Sequence, residues 1–311
     1  MKILVYSDGS ASSERALHFA ARTARTLDAE LAVITVRSGT HAIEPPPPFG
    51  AEVNLNDSVH LPSGLQILAN AVDVLCAEGL LDHQEKFNVM VRELSNGHLF
   101  VCRSRNEKRI PFYVCFGHMI EALNHETDKH GYDLLIIAPP RRGKLHKMVL
   151  GDTTRKLALD LHTSVLIVRD GGLESRFVIC ADGSAAANRQ LGMLASFLPA
   201  ISGAMEMIWV RKPDCDREAV QAAEHYLTSV QKWLADAGLQ VGIVRAEGQR
   251  PAEVIAKAAG EDAVIFLGAS LRHDVYRRLR GSLAMQLLAQ SSASVLLVKG
   301  LPEGDSEFLP E

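Results

Sequence analysis

GSLAMQLLAQSSASVLLVK, residues 281–299, decides the fold, because a glycine, a helix-like stretch and an unbroken apolar run follow one another there. A second copy, GDTTRKLALDLHTSVLIVR, occupies residues 151–169 and aligns with the first without a gap. Extended backwards, the copies cover residues 138–169 and 268–299, at a constant separation of 130 positions. An internal repeat is therefore the first property that a structure has to explain.

The composition fits a globular protein of two ordinary domains. The chain has 311 residues, 47% of them hydrophobic and 23% charged, which is enough for each domain to bury its own core. A net charge of -4 gives no sign of a nucleic-acid partner. Apolar runs such as residues 31–36 are far shorter than the roughly 20 residues of a membrane helix, so no membrane contact is expected.

Two further features of the sequence bear on its compartment. The opening MKILVYSDGS becomes polar too early to supply the apolar core of a signal peptide, so a cytoplasmic location is expected. The five cysteines include no CxxC pair, and we predict that they are free thiols that are mostly buried.

The repeat extends over whole domains, since both halves open in the same way. Each begins with a short strand, an Asp-Gly-Ser turn and a helix, followed by a second apolar strand. Asp8 matches Asp182 and Val36 matches Val210, both at a separation of 174 positions. Strands that are almost wholly apolar and alternate with helices are typical of parallel α/β sheets with right-handed crossovers.

The predicted fold is therefore α/β, with two Rossmann-like domains that each hold a mainly parallel five-stranded sheet with helices on both faces. We place the first domain at residues 1–171, the second at 175–300, and an acidic disordered tail at 301–311. The first domain carries two insertions that the second lacks. One holds the prolines of residues 45–48, and the other contains strand-like runs around Asn96-Gly97, a sequence that favours a tight hairpin.

The candidate ligand site of each domain is the turn after its first strand together with the loop after its fourth. Ligands of open parallel sheets bind outside the carboxyl ends of the strands, where the strand order reverses. In the second domain, Gly268 permits close approach to the backbone, and Gly281-Ser282 opens a helix whose free N–H groups favour an anion. Arg272 and its neighbouring arginines add positive charge, so this loop suits a phosphate.

With these residues the chain resembles the universal stress protein family in its tandem two-domain form. ATP-binding members of that family carry Gly-x-x-Gly, nine residues, and then Gly-Ser or Gly-Thr, between a strand and a helix. The second domain has Gly268, Leu271 in place of the second glycine, and Gly281-Ser282. The Asp-Gly-Ser turns and the strands ending in VLIVR and VLLVK are also similar to the family.

The resemblance implies a stress-response regulatory protein that binds ATP or a related adenine nucleotide in its second domain. It implies Asp182 near the adenosine, backbone contacts from Val210 to the adenine, and Gly268, Gly281 and Ser282 around the ribose and phosphates. Ser270 and Arg272 belong to the same predicted site. No metal is expected beyond one that accompanies the phosphates, and the partner implied is a regulatory protein that the sequence does not identify.

The first domain departs from the family pattern and is predicted to be a degenerate site. Arg141 and Ala138 stand where the glycines belong, and Asp152 follows Gly151 where a phosphate-binding serine is expected. A carboxylate at that helix start occupies the N-terminal N–H groups itself and repels phosphate. Asp8 and Val36 complete this degenerate set.

Several alternatives remain open from the sequence. Asp8 and Asp182 have a purely structural interpretation as caps of the helices that follow them. The protein is not expected to be an enzyme, because it lacks a GxxxxGK[ST] or GxGxxG motif, although slow ATP hydrolysis stays an alternative. A scaffold without nucleotide is the other alternative. By fold-level analogy, residues 164–169 and 294–299 should pair across an internal pseudo-twofold, so that one chain imitates a homodimer, and further self-association is compatible with that arrangement.

Overall fold

The computed structural model describes residues 1–38, 63–82, 92–94, 97–103, 108–139, 152–269 and 283–299. Spatial contacts divide the chain into two compact units. The first comprises Met1–Pro140 and Asp160–Thr163, and the second comprises Arg141–Leu159 and Ser164–Glu311. The proline segment at 45–48, the tail at 301–311 and the turn residues 95–96 lie outside the described residues.

The first unit alternates strands and helices as the sequence predicts. Its described elements are β1 (Lys2–Tyr6), α1 (Ala11–Leu27), β2 (Glu30–Arg37), α2 (Ser63–Ala77), β3 (Arg92–Leu94), β4 (Gly97–Arg103), β5 (Arg109–Phe116), α3 (Met119–His130) and β6 (Leu134–Ile137). Strands β6, β1, β2 and β5 are parallel neighbours in that order. Strand β4 then pairs antiparallel with β5, and β3 with β4, which confirms that the insertion supplies two paired strands.

The second unit repeats the pattern without that insertion. Its described elements are α4 (Asp152–Asp160), β7 (Ser164–Ile167), β8 (Arg176–Cys180), α5 (Ala185–Phe197), a 3-10 turn (Leu198–Ala200), β9 (Met205–Arg211), α6 (Arg217–Asp236), β10 (Val241–Glu247), α7 (Pro251–Ala259), β11 (Ala263–Ala269), α8 (Leu283–Gln290) and β12 (Ser294–Lys299). The last residue of α4 is grouped with the first unit.

The strands of the second unit follow the order β10-β9-β8-β11-β12-β7. The first five are parallel, and β7 joins β12 antiparallel with Leu296 opposite Leu166. The predicted pairing of residues 164–169 with 294–299 is therefore confirmed. Rossmann-like α/β architecture is confirmed as well, because helices connect parallel strands in both units.

The cores form because the central parallel strands, such as β1 and β11, are almost wholly apolar. In the second unit, Phe266 of β11 contacts Phe177 and Phe197, with ring centroids 5.7 and 5.8 Å apart. All three rings are fully buried. Aromatic pairs at this separation and tilt add stability beyond their buried area. Helix α5 is thereby fixed against the sheet at the strand that carries Gly268.

Arg169 is a charged residue inside this unit, with only 1% of its surface exposed. Its guanidinium donates to the carbonyl oxygens of Leu288, Ser291 and Ala293, at and beyond the end of α8. The carbonyl of Leu288 lies in the last turn of α8, where a helix leaves its carbonyls without an internal partner. Burial lowers the pKa of Arg169 to about 10, so it still carries its charge at neutral pH.

Two simpler expectations concern the cysteines and membrane helices. All five cysteines are free, and all except the half-exposed Cys215 are buried, which confirms the prediction. Within the described ranges, no helix is both long enough and apolar enough to cross a membrane.

Candidate functional site

The candidate site of the second unit lies at the carboxyl ends of β8, β9 and β11. The chain leaves β8 for β9 on one side of the sheet and later returns to β11 on the other, so the strand order reverses between β8 and β11. Asp182 follows β8, Val210 is the second-last residue of β9, and Gly268 is the second-last residue of β11. The structure thus brings three of the predicted residues to one edge of the sheet, at the position where α/β folds bind ligands.

The turn after β8 prepares the start of α5. The carboxylate of Asp182 accepts a hydrogen bond from the N–H of Ser184 at 3.0 Å, and Gly183 adopts a φ of 74° that favours glycine. The hydroxyl of Ser184 in turn accepts from the N–H of Ala187 at 3.2 Å. Ser184 is therefore the helix N-cap, and the interpretation of Asp182 as the cap is wrong by two residues.

The first unit has the same turn after β1. Asp8 accepts from the N–H of Ser10 at 2.9 Å, Gly9 has a φ of 79°, and Ser10 accepts from the N–H of Ser13 at 3.2 Å. The cap of α1 is again the serine rather than the aspartate. Partial burial would raise the pKa of Asp8, but hydrogen bonds from Ser10 and Ser13 outweigh it and hold that pKa below its usual value.

Gly268 has a packing reason to be glycine. A Cβ atom added there would lie 1.9 Å from the carbonyl oxygen of Ala186, in the first turn of α5. No side chain fits at that distance, so the turn of α5 reaches the end of β11 only because residue 268 has no side chain. This requirement exists whether or not a ligand also approaches the backbone there.

Two polar residues beneath the Asp-Gly-Ser turn of the second unit, Gln190 and Tyr226, were not predicted from the sequence. Gln190 is fully buried on α5 and donates to the carbonyl oxygen of Cys180 at 2.5 Å. Tyr226 of α6 donates its hydroxyl to the carbonyl oxygen of Ala187 at 2.7 Å. Burial and the charge of Asp182 raise the pKa of the Cys180 thiol and of the Tyr226 phenol, so both groups are neutral under the candidate site.

Gln190 and Tyr226 therefore fix the backbone under the Asp-Gly-Ser turn. Neither residue belongs to a sequence motif that would reveal this role, since glutamine is common in helices. The only available signal is a polar side chain on the packed face of α5, where apolar residues are expected.

Val210 and Val36 occupy equivalent places near the ends of the second strands. Val210 lies opposite Ala246 of β10 and is half-buried. Val36 lies opposite Cys115 of β5 and is also half-buried. Both are near the carboxyl edge of their sheets, so their backbone groups lie beside the respective Asp-Gly-Ser turns.

The remaining predicted site residues fall largely outside the described ranges. These are Ser270, Arg272, Gly281 and Ser282 of the second domain, and Arg141 and Gly151 of the first. Leu271 also lies outside. Asp152 is the first residue of α4, and only its backbone is described. Among the residues that the structure describes, no group of three or more His, Cys, Asp or Glu side chains is arranged to hold a metal ion.

The sequence matches the family model of the universal stress protein family over residues 1–58 and 83–169. The chain belongs to the universal stress protein family. The match includes the Asp8 turn, β1, β2 and the whole first copy of the repeat. None of the curated proteins matches the sequence significantly.

Solved structures that cover almost the whole chain have the same fold. One from Archaeoglobus fulgidus DSM 4304 is 16% identical, with a TM-score of 0.62 over 97% of both chains. A functionally unknown protein from Pseudomonas aeruginosa PAO1 is 14% identical, with a TM-score of 0.59 over 96% of this chain and 92% of that one. A universal stress protein solved in complex with cAMP is 22% identical, with a TM-score of 0.33 over 54% of this chain and 95% of that one. The first two likenesses extend over the whole chain and establish its fold.

Proposed function

We propose that this protein is a stress-response regulator of the universal stress protein type whose second unit binds ATP or a related adenine nucleotide. The observation that carries the proposal is the position of Asp182, Val210 and Gly268 together at the edge where the strand order reverses. Asp182 is exposed there and offers a carboxylate to a ribose hydroxyl or an adenine amine. Val210 offers backbone groups to the adenine.

We assign the phosphates to the segment between β11 and α8. Its sequence includes Ser270, Arg272 and Gly281-Ser282, which supply backbone N–H groups, hydroxyls and positive charge before α8. A metal accompanying the phosphates would be held mainly by the nucleotide.

The two copies are proposed to differ in ligand binding. Asp152 stands in α4 where Ser282 stands before α8, and a carboxylate at a helix start competes with phosphate for the same N–H groups. The first predicted domain, residues 1–171, is therefore proposed to bind no ATP. Its surface is instead enlarged by β3 and β4, which favours a role for that domain in contacting a regulatory protein.

We propose that the protein acts by binding and not by turnover. Regulation then depends on nucleotide occupancy, and the regulatory partner distinguishes the occupied from the empty protein. Hydrolysis of ATP at a steady rate above buffer, measured as phosphate release, would contradict this part of the proposal.

The experiment that tests the site starts from purified protein. After denaturation, released nucleotide is identified by chromatography, and ATP is then titrated into nucleotide-free protein by calorimetry. Ser282→Asp is expected to weaken binding at least tenfold, since it places a negative charge where phosphate is proposed. The matched variant Asp152→Ser removes the same charge from the first copy and is expected to retain wild-type affinity in the second.

Unchanged affinity in Ser282→Asp would remove the proposed phosphate site. If the protein binds no adenine nucleotide, the alternative function, an interaction scaffold that needs no nucleotide, is the one that remains. That alternative is favoured specifically by the extra antiparallel strands of the first unit, which add interaction surface without adding a ligand site.

A further inference from the structure

The two units differ at the third of their parallel strands, counted along the chain. In the first unit this strand is β5, which has β2 on one side and β4 on the other. Strand β4 pairs with it antiparallel over seven positions, from Gly97 opposite Cys115 to Arg103 opposite Arg109. In the second unit the equivalent strand is β10, and among the described strands only β9 pairs with it. In the first unit, the insertion thus covers the outer edge of β5, whereas the equivalent edge of β10 has no partner among the described strands.

The hydrogen bonds of β10 identify which backbone groups point outward. The N–H of Gly248 donates to the carbonyl of Arg211 in β9 at 3.1 Å, so Gly248 and alternate residues before it face β9. Ile243, Arg245 and Glu247 therefore direct their N–H and C=O groups away from the sheet. Further back, the carbonyl of Val241 is occupied by the side chain of Gln231 at 2.9 Å.

This edge differs from the outermost strand of the first sheet. Strand β3 has three residues, and a very short edge strand is one of the ways in which proteins prevent further pairing. Strand β10 has seven residues and no proline. Its Ile243 and Val244 are only half-buried. Such a strand offers a template of backbone donors and acceptors for one more strand.

We propose that β10 is a contact surface between two copies of this chain, which pair β10 with β10 antiparallel about a twofold axis at Ala246. In that register, Arg245 of one copy lies opposite Glu247 of the other, and the twofold axis repeats the pair. Both side chains are on the same face of the sheet, because residues two apart in a strand share a face. Directly opposite charges stabilise an antiparallel pair.

Charges already present within each copy support this register. Arg245 donates to the carboxylate of Glu224 at 2.7 and 2.8 Å, and Glu247 accepts from Arg211 at 2.7 Å. Pairing two copies would extend these bonds into a row of alternating charge, from Glu224 to Arg245, then to Glu247 and Arg211 of the second copy. An axis at Arg245 would instead place two arginines opposite each other, and like charges in that position are destabilising.

The register makes a sharp geometric prediction. Ala246 faces β9 with its backbone groups, so the two Ala246 residues form a pair without hydrogen bonds, with Cα atoms about 4.5 Å apart. A disulfide requires Cα atoms roughly 4.4 to 6.8 Å apart. Val244 lies on the same face two residues earlier, and it would be opposite Gly248 of the second copy.

The first test is disulfide formation in the full chain, with Cys215→Ser as background because the other four cysteines are buried. Ala246→Cys, oxidised with glutathione disulfide, is expected to give a covalent dimer at least tenfold faster than Val244→Cys. Equal rates for the two variants, or faster cross-linking of Val244→Cys, would overturn the proposed pairing.

The second test is sedimentation velocity of the chain without introduced cysteines. We expect a concentration-dependent dimer that Arg245→Glu weakens at least tenfold and that the exchange Arg245→Glu with Glu247→Arg restores. Circular dichroism confirms that each variant is folded. A wild-type chain that stays monomeric at about 100 μM, or a dimer indifferent to Arg245→Glu, would overturn the proposal. A chain that stays monomeric and binds some other extended segment at β10 would also overturn the proposal.

Discussion

The hydroxyl of Ser164 accepts a hydrogen bond from the backbone N–H of Lys299, with 3.1 Å between oxygen and nitrogen. The same bond recurs 130 positions along the repeat, where the N–H of Arg169 donates to the hydroxyl of Ser294 at 2.9 Å. Each serine begins its strand, and each donor lies at or just beyond the end of the opposite strand. The equivalent serines of the two copies therefore close both ends of the β7–β12 pair.

Arg169 is expected to be essential for the stability of this region. Replacing it with methionine keeps the volume but leaves the carbonyls of Leu288, Ser291 and Ala293 without their charged donor. Hydrogen bonds to a charged group contribute about 1.5 to 3 kcal/mol each at most, and their losses overlap, so Arg169→Met should lower the free energy of unfolding by about 3 kcal/mol. Urea denaturation followed by circular dichroism measures it.

The control for Arg169 is an arginine at the surface. Arg250 is exposed and forms an ion pair with Glu253 three residues later. Exposed pairs of this kind contribute about 0 to 1 kcal/mol, so Arg250→Met should change the free energy of unfolding by less than that. Similar losses in the two variants would show that the buried carbonyls do not depend on Arg169.

Gly268→Ala is expected to destabilise the second unit in the absence of nucleotide. Its new Cβ would meet the carbonyl oxygen of Ala186 at 1.9 Å, and relieving that overlap has to move α5 or β11. Overpacking of a core costs about 1 to 3 kcal/mol. Thermal unfolding of nucleotide-free protein should therefore show a lower midpoint. The matched strand variant Gly242→Ala meets only the side chain of Glu206 at 3.6 Å and should leave the midpoint within a degree or two, about the size expected for a change below 0.5 kcal/mol.

An unchanged midpoint for Gly268→Ala would mean that the first turn of α5 moves freely. A lower midpoint has a consequence for ligand studies. Weaker nucleotide binding by this variant would then be explained by the displacement of α5. It would not by itself show that a ligand contacts Gly268.

Sequence periodicity was sufficient for most of the regular elements, because most of the parallel strands are separate apolar runs. The predicted strand at residues 294–299 agrees with β12 (Ser294–Lys299), and the predicted strand at 164–169 begins at the first residue of β7 (Ser164–Ile167) and extends two residues beyond its end. The repeat also predicted the β7–β12 pair, since matching strands at the ends of two copies suggest one another as partners.

The details of the site could not be read from sequence for a physical reason. Aspartate and serine are equally good helix caps, so the choice of Ser184 over Asp182 depends on backbone geometry. The contact of Gly268 with Ala186 and that of Arg169 with Ser291 join residues far apart in the chain. Spacing along a sequence contains no information about such contacts.

Glu78 is expected to stabilise the first unit in a pH-dependent way. Its carboxylate contacts His18 at 2.7 Å and Arg22 at 3.0 Å, joining the end of α2 to α1. Burial works in the opposite direction, but these hydrogen bonds hold the pKa of Glu78 below its usual value. A carboxyl whose pKa is lowered by folding stabilises the protein above its unfolded pKa, and the effect is lost as the pH falls through the folded value.

Glu78→Gln should therefore be less stable than wild type at pH 7, by about 1 to 2 kcal/mol, and the difference should shrink below pH 4. Guanidinium denaturation at both pH values provides the comparison. Glu121→Gln, on the first turn of α3, is a suitable control for general effects of acid. A difference that stays constant from pH 7 to pH 3 would contradict the role given to the Glu78 carboxylate.

Asp182→Asn is expected to separate the structural role of the Asp-Gly-Ser turn from its proposed contact with a nucleotide. The asparagine oxygen can still accept from the N–H of Ser184, so the start of α5 is preserved. The charge that strengthens a hydrogen bond to a ribose hydroxyl is lost, which should weaken ATP binding about tenfold in calorimetric titrations. Asp8→Asn makes the same change in the same turn of the first unit and should leave the affinity within about twofold. If both variants bind ATP as tightly as wild type, the nucleotide does not contact Asp182. If both weaken binding equally, the two copies contribute equally to ATP binding, which contradicts the difference predicted from Asp152 and Ser282.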